Sequence, residues 1–325
     1  TGISIASAAV FTKVAVPEMT RLGYNRRFAV GVVTGSSVLG MLIPPSLLLI
    51  LFGILTETSI GDLFTAGILP GVLLAGAFCL LILVMAAWCP NRVVGLQPPE
   101  ASPAEEQMTF LGAVGKLIPI AALITLVLGG IYLGWFTPTE SGAVGALGAL
   151  LLALAKRSLT WSKLWQVLVE TGHVTVAILF LIIAANMYGR MLALSGITNF
   201  IGNWISASGL GLYTFLSIYI AIVLLMGTIL DSSSILMIIV PLVYPVVHAM
   251  QIDFIWFGVV TVIAIEIGLL TPPLGICAYV VKGTLDDQHI SLNDIFAGSF
   301  PFVVIMLLVL ILVVLFPPIT LYLVQ

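Results

Sequence analysis

Two short motifs hold most of the chemical potential of this sequence: Gly40-Met-Leu-Ile-Pro44-Pro45 and Gly268-Leu-Leu-Thr-Pro272-Pro273. Each sits inside a long apolar run. A proline pair removes two backbone donors and clashes with the preceding turn, and the glycine weakens that same turn. A helix must break there, and hydrocarbon cannot satisfy the carbonyls that the break releases. Such backbone survives at membrane depth where it lines a cavity or holds a cation. Two further segments, Thr1-Gly2-Ile3-Ser4 and Gly227-Thr228-Ile229-Leu230-Asp231, are small and polar between apolar arms, as the tips of re-entrant hairpins are. Ends of broken helices carry partial charges: carbonyl ends suit sodium, and amide ends suit a carboxylate. Ser36, Ser37 and Ser46 beside the first break, and Ser232 to Ser234 beside the second tip, add hydroxyl oxygens. The expected chemistry is the binding of a cation and a small anion.

Gly2, Ser4, Ser36, Ser37, Thr228 and Asp231 are the candidates for contact with a carried solute. Glu266 and Asp231 are acids at membrane depth, where ionisable groups are rare and usually functional. For both acids a structural hydrogen bond to freed amides is the competing reading, with more weight at Glu266 than at Asp231. Arg190 has two readings, an anion clamp or a side chain that snorkels from a span's end, and Lys13 is read in the same way. Thr137-Pro138-Thr139-Glu140 reads as a helix start, with a cap, a proline at the first helical position and a glutamate at the third. Trp161 and Trp165 flank Lys163 as interfacial anchors. The three histidines are scattered far from the serine-rich tips, and the three cysteines match neither a metal spacing nor a disulfide framework. No catalytic constellation and no cofactor are expected.

The elements that must position these residues are set by composition. Of 325 residues, 61% are hydrophobic and 8% charged, and the mean hydropathy is +1.24. A soluble domain carries roughly 25% charged residues, so lipid must be the solvent of this chain. The net charge of −3 argues against a nucleic-acid surface. Spans of about 20 apolar residues are expected at 28–54, 63–89, 111–134, 138–155, 165–189, 256–281 and 295–316. The stretches 4–19 and 211–249 do not fit as simple crossings and read as hairpin arms. If the seven spans alternate, Arg21, Arg26, Arg27, Arg92, Lys116, Lys156, Arg157, Lys163 and Lys282 share one side. The opposite loops, 55–62, 134–138, 250–255 and 317–325, contain no Lys or Arg, with Arg190 the exception. The basic side is expected to be cytoplasmic.

The chain also repeats itself. Gly31-Val-Val-Thr and the first Gly-to-Pro-Pro motif recur as Gly258-Val-Val-Thr and the second. Downstream, Asp62-Leu-Phe-Thr-Ala-Gly67-Ile-Leu-Pro70 matches Asp294-Ile-Phe-Ala-Gly298-Ser-Phe-Pro301. Five of the expected crossings separate the copies, and an odd number inverts the second. Inverted repeats with a midplane site at their interface are an architecture of secondary transporters. The predicted fold is an all-α polytopic bundle with inverted repeats, two re-entrant helical hairpins and two broken transmembrane helices. Residues 1–91 form the hairpin, broken helix and closing helix of the first repeat, and 92–110 a cytoplasmic linker. Residues 111–325 form the second repeat, with scaffold helices over 111–210, a hairpin at 211–249, a broken helix at 256–281 and a closing helix at 295–316. The first copy has no partner for 110–226, which leads to the expectation of a comparable segment missing before residue 1.

At these residues the sequence resembles the large membrane subunit of tripartite ATP-independent periplasmic (TRAP) transporters. The resemblance rests on TGISIAS…VPEM at 1–19, GMLIPPS at 40–46, FTPTESGAVG at 136–145 and EIGLLTPPLG at 266–275, and it covers essentially the whole chain. It implies an elevator-type member of the ion-transporter superfamily, multi-pass in a bacterial inner membrane and driven by sodium. The implied partners are a small TRAP membrane subunit, a periplasmic solute-binding protein and a small carboxylate-bearing solute. Carried over by position, one sodium site involves Thr1, Ile3, Gly40, Ile43 and Pro45, and the other Gly227, Gly268, Thr271 and Pro273. The family's usual Ser-Gly-Ser-Ser tip is here Thr1-Gly2-Ile3-Ser4, so Ile3 offers only a carbonyl. Three alternatives remain open: a stand-alone sodium-coupled dicarboxylate or citrate symporter, a passive channel and, in a different class, an intramembrane enzyme.

Overall fold

A computed structural model describes residues 2–95, 110–157, 159–197, 200, 211–285 and 290–324, with side chains from Leu117 onward in the helix that begins at Phe110. Fifteen named helices lie among the described residues. The first six are α1 (Ser4–Arg21), α2 (Arg26–Ser36), α3 (Leu39–Leu42), α4 (Leu47–Thr56), α5 (Ile60–Trp88) and α6 (Pro90–Val93). Then come α7 (Phe110–Tyr132), α8 (Pro138–Ala155) and α9 (Trp161–Ser195). The last six are α10 (Leu212–Gly227), α11 (Ser232–Ala249), α12 (Phe254–Leu270), α13 (Ile276–Thr284), α14 (Leu292–Leu315) and α15 (Pro318–Leu321).

Local chemistry sets most of the starts. A side-chain oxygen at the N-cap accepts an orphan amide of the first turn. Asn25 accepts from Arg27, Ser59 from Asp62, and Asp253 from Trp256. Thr137 and Glu140 form the full capping box expected from sequence, and Ser291 with Asp294 forms another. Six runs are long and apolar enough to cross a membrane, counting the interrupted Arg26–Thr56 as one. The expected break at 43–46 divides that run, and the second separates α12 from α13. The segment 211–249 is two helices joined at Thr228–Asp231, and α9 extends its expected span at both ends.

The chain divides into two compact units, Thr1–Glu100 with Ala185–Gln325, and Ala101–Ala184. The division does not follow the two sequence copies. In the second unit, α7 packs on α8, where Gly145 and Gly148 admit Val127 and Leu123. The first unit holds both breaks. Between helices in lipid the hydrophobic effect contributes little, so close packing through small residues takes over. Helices α2 and α14 cross at Gly31 and Gly298, where a Cβ on Gly31 would lie 2.3 Å from the Gly298 carbonyl oxygen. Helix α12 is buried at every residue from Trp256 to Leu270, as a helix apolar on all sides must be. It packs against α10 through Tyr219 and Phe257, whose ring centroids are 4.8 Å apart, and against α4 through Phe52. Two polar side chains within it find partners inside the protein: Trp256 Nε1 donates to the Val313 carbonyl at 2.9 Å, and Thr261 shares a 2.8 Å bond with the Tyr219 hydroxyl. On its other side the first unit buries Ala8 and Val16 of α1 with Ala29, Val30 and Val33 of α2 and Ala278 and Val281 of α13.

Candidate functional site

At the first break, α3 ends in an extended Ile43, the Pro44–Pro45 bond is cis, and Ser46 restarts the helix. The buried Ser46 hydroxyl accepts from the Leu49 amide and donates back to the Met41 carbonyl, so it spans the gap. The first tip closes on this break. The Leu47 amide donates to the Gly2 carbonyl at 3.2 Å, and a Cβ on Gly2 would lie 3.0 Å from the Pro45 carbonyl oxygen. Gly2 has φ +70°, a conformation that glycine adopts freely.

The second break follows the same plan. Thr271 ends α12 in an extended conformation, the Pro272–Pro273 bond is cis, and α13 begins after Gly275. The second tip closes on it through backbone alone. A Cβ on either Gly227 or Gly268 would lie 2.6 Å from the other's Cα, so both positions admit only hydrogen. The Gly275 amide faces the Thr228 carbonyl at 3.4 Å. Thr271 Oγ1 donates to the Ile267 carbonyl at 2.7 Å, as a helix-end hydroxyl does, and its lone pairs stay available. Thr271 and both prolines line a cavity of about 640 Å³ shared with Arg27, Asn293 and Phe296. Arg27, in the sequence a marker of sidedness, places its Nε 3.6 Å from Asp294 Oδ1.

The structure therefore gathers Gly2, Gly40, Ile43 and Pro45 at one break, with Ile3 beside Gly2, and Gly227, Thr228, Gly268, Thr271 and Pro273 at the other. Thr1 lies outside the described residues. The remaining solute candidates have local partners. Ser36 and Ser37 hydroxyls donate to the Val33 and Thr34 carbonyls, and the Thr228 hydroxyl donates to Leu225. Asp231 caps α11, accepting the Ser233 and Ser234 amides at 3.1 Å each and the Ser234 hydroxyl at 2.5 Å. The run Asp-Ser-Ser-Ser ahead of an apolar stretch is a signal for that cap.

Two contacts tie the halves together. Ser4 Oγ donates to Glu266 Oε2 at 2.5 Å, with both residues buried, and Glu266 Oε1 has no hydrogen-bond partner among the described residues. Glu266 thus meets a hydroxyl of the first tip, where freed amides had been the alternative. Reciprocally, the Ser232 hydroxyl donates to Met41 Sδ at 3.7 Å. Ser4 and Ser232 are each the first residue of the helix that follows a tip. Arg190 lies exposed in a separate cavity of about 400 Å³ with Glu57, Asn186 and Tyr244.

The family model of the tripartite ATP-independent periplasmic transporter, DctM component, matches residues 1–319. The chain belongs to this family. It is 33% identical over 321 residues to the C4-dicarboxylate TRAP transporter large permease of Pseudomonas aeruginosa, covering 98% of this chain and 73% of that protein. It is 31% identical to the sialic acid TRAP transporter large permease of Vibrio cholerae, over 99% of this chain and 73% of the other. The 2,3-diketo-L-gulonate TRAP transporter large permease of Escherichia coli matches at 28%, over 97% and 72%. As a TRAP large permease the chain is an integral inner-membrane protein and a transporter component, not an enzyme. It is one part of a tripartite, binding-protein-dependent secondary transport system.

Proposed function

We propose that this chain is the sodium-driven permease subunit that moves a small carboxylate-bearing solute inward, with a small membrane subunit and a periplasmic binding protein that delivers the solute. The observation that carries this reading is the closure of each hairpin tip on a helix break, Gly2 on Pro45 and Leu47, and Gly227 with Thr228 on Gly268 and Gly275. Such junctions concentrate backbone carbonyls and amide ends in a dry interior. No group of three His, Cys, Asp or Glu that could hold a metal occurs among the described residues. Neutral oxygens are the donors at hand, a set that suits an alkali cation better than a transition metal. Ile3, Gly40, Ile43 and Pro45 would hold one sodium ion, and Gly227, Gly268, Thr271 and Pro273 another. When bound, sodium supplies positive charge that favours the tip-closed form and the arrival of an anion. The amide ends and the cavity beside Thr271 and Arg27 would receive the carboxylate.

The named solutes of the relatives, a C4-dicarboxylate, sialic acid and a diketogulonate, are all organic acids. Their permeases match this chain at similar identity, so identity does not choose among them. The matched order of tip, break and closing helix supports an inverted repeat moving as an elevator against scaffold helices. Reconstitution into vesicles with the small subunit tests the whole reading. Uptake should require both the binding protein and an inward sodium gradient. Undiminished uptake without the binding protein would move the protein to the lone-symporter class, and uptake in choline equal to that in sodium would remove the sodium coupling.

A further inference from the structure

Four contacts close a ring around the two breaks. Leu47 holds Gly2 of the first tip, and Ser4 of that tip holds Glu266 of α12. Two residues on, Gly268 touches Gly227 of the second tip, and Ser232 beyond that tip holds Met41 next to Gly40. The ring passes through Ile3, Ile43, Pro45, Gly227 and Gly268, which belong to the two proposed sodium sites. We propose that the Ser4–Glu266 bond is the tie through which ordering of one helix break orders the other, with Ser4 and Glu266 as positioning residues for sodium rather than ligands of it. This rests on the sodium reading above.

The argument is one of satisfaction and burial. Glu266 is 1% exposed and Ser4 0%, so neither can exchange its partner for water. Among the described residues Glu266 Oε1 has no hydrogen-bond partner, and Ser4 is the one that serves the carboxyl group. No basic side chain offers a substitute among the described residues. Lys282 on α13 donates to the Ile290 carbonyl at 2.6 Å, and Lys13 on α1 and His248 on α11 are exposed. If the first tip withdraws from its break, Ser4 leaves Glu266 with a buried, unmet polar group, which is costly. The tip is therefore held at both ends, and a cation that orders it lowers the entropy left to lose at the second break. Ser4 is the first residue of α1, so its hydroxyl moves with the tip.

Hydrogen exchange reads each break separately without requiring transport. In detergent, sodium should protect the amides around Ile43–Leu47 and around Thr271–Ile276. Thr271→Val, which weakens the second site, should raise the sodium concentration for half-maximal protection at the first break by severalfold. In a Ser4→Ala background the same substitution should leave the first break's half-maximum unchanged. Glu266→Ala should uncouple in the same way, whereas Glu266→Gln keeps an acceptor for Ser4 and should preserve the coupling. If Glu266→Ala does not fold, Ser4→Ala and Glu266→Gln still decide the matter. Coupling that survives in Ser4→Ala overturns the tie while leaving the sodium reading intact. Absence of any sodium-dependent protection in the wild type overturns both.

Discussion

At Thr271 one hydroxyl caps a helix end and, on the proposed reading, would also serve a sodium ion. Its proton goes to the Ile267 carbonyl, which would otherwise be orphaned where α12 stops. The residue also lines the cavity beside the break. Removing a neutral oxygen ligand should weaken sodium binding by about 1–3 kcal/mol, roughly ten- to hundredfold. Thr271→Val should raise the sodium needed for half-maximal uptake by that factor, and Thr271→Ser should stay close to wild type. Thermal unfolding in detergent without sodium separates lost binding from a lost fold. Unchanged sodium dependence in Thr271→Val would leave at most the backbone carbonyl as a ligand. The hydroxyl's place at the break was legible in sequence, because proline chemistry is local. The partner of Glu266 was not, since 262 residues separate it from Ser4 and no spacing encodes that meeting.

The breaks and tips owe their geometry to small residues as much as to proline. Gly227 and Gly268 stand Cα against backbone, so a methyl group at either must push α10 from α12. Gly227→Ala and Gly268→Ala should each destabilise the fold by about 1–3 kcal/mol, the usual cost of overpacking. On the proposed reading they should also abolish uptake, because the second tip could no longer close on its break. Gly76→Ala in α5 meets nothing within 4 Å and should be neutral in both assays. A wild-type thermal midpoint for Gly268→Ala would contradict the contact. The helix start at Thr137 fell where its threonine, proline and glutamate mark it in the sequence. The boundaries departed at α9, whose ends extend past the apolar run that had defined it. The tie from Ser232 to Met41 was not foreseeable either, for methionine at a break reads as an apolar filler.

On the scale of the whole molecule, the clearest sequence signal was the uneven distribution of Lys and Arg. Cysteine introduced at Ser59 and at Lys156, in a background without Cys79, Cys89 and Cys277, should be labelled from opposite faces of the membrane. Labelling of both from one face would remove the alternating topology and the inverted repeat with it. The division into compact units was not readable in the same way. The two copies follow one another in sequence, yet hairpin, break and closing helix of both fall in one unit. Helix α12 lies at the centre of that unit, and its burial from Trp256 to Leu270 has a mechanical meaning. Its 17 residues reach about 26 Å at 1.5 Å each, less than the roughly 30 Å of a bilayer's hydrocarbon. A lipid-facing helix of that length would suffer mismatch, but α12 is enclosed by protein from Trp256 to Leu270. Changes in bilayer thickness should act first on helices with long exposed apolar faces, such as α5. In a variant with Trp256 as its sole tryptophan, emission should stay constant as acyl chains are lengthened, and brominated lipids should fail to quench it. The paired breaks would then work at a depth that the surrounding membrane does not set.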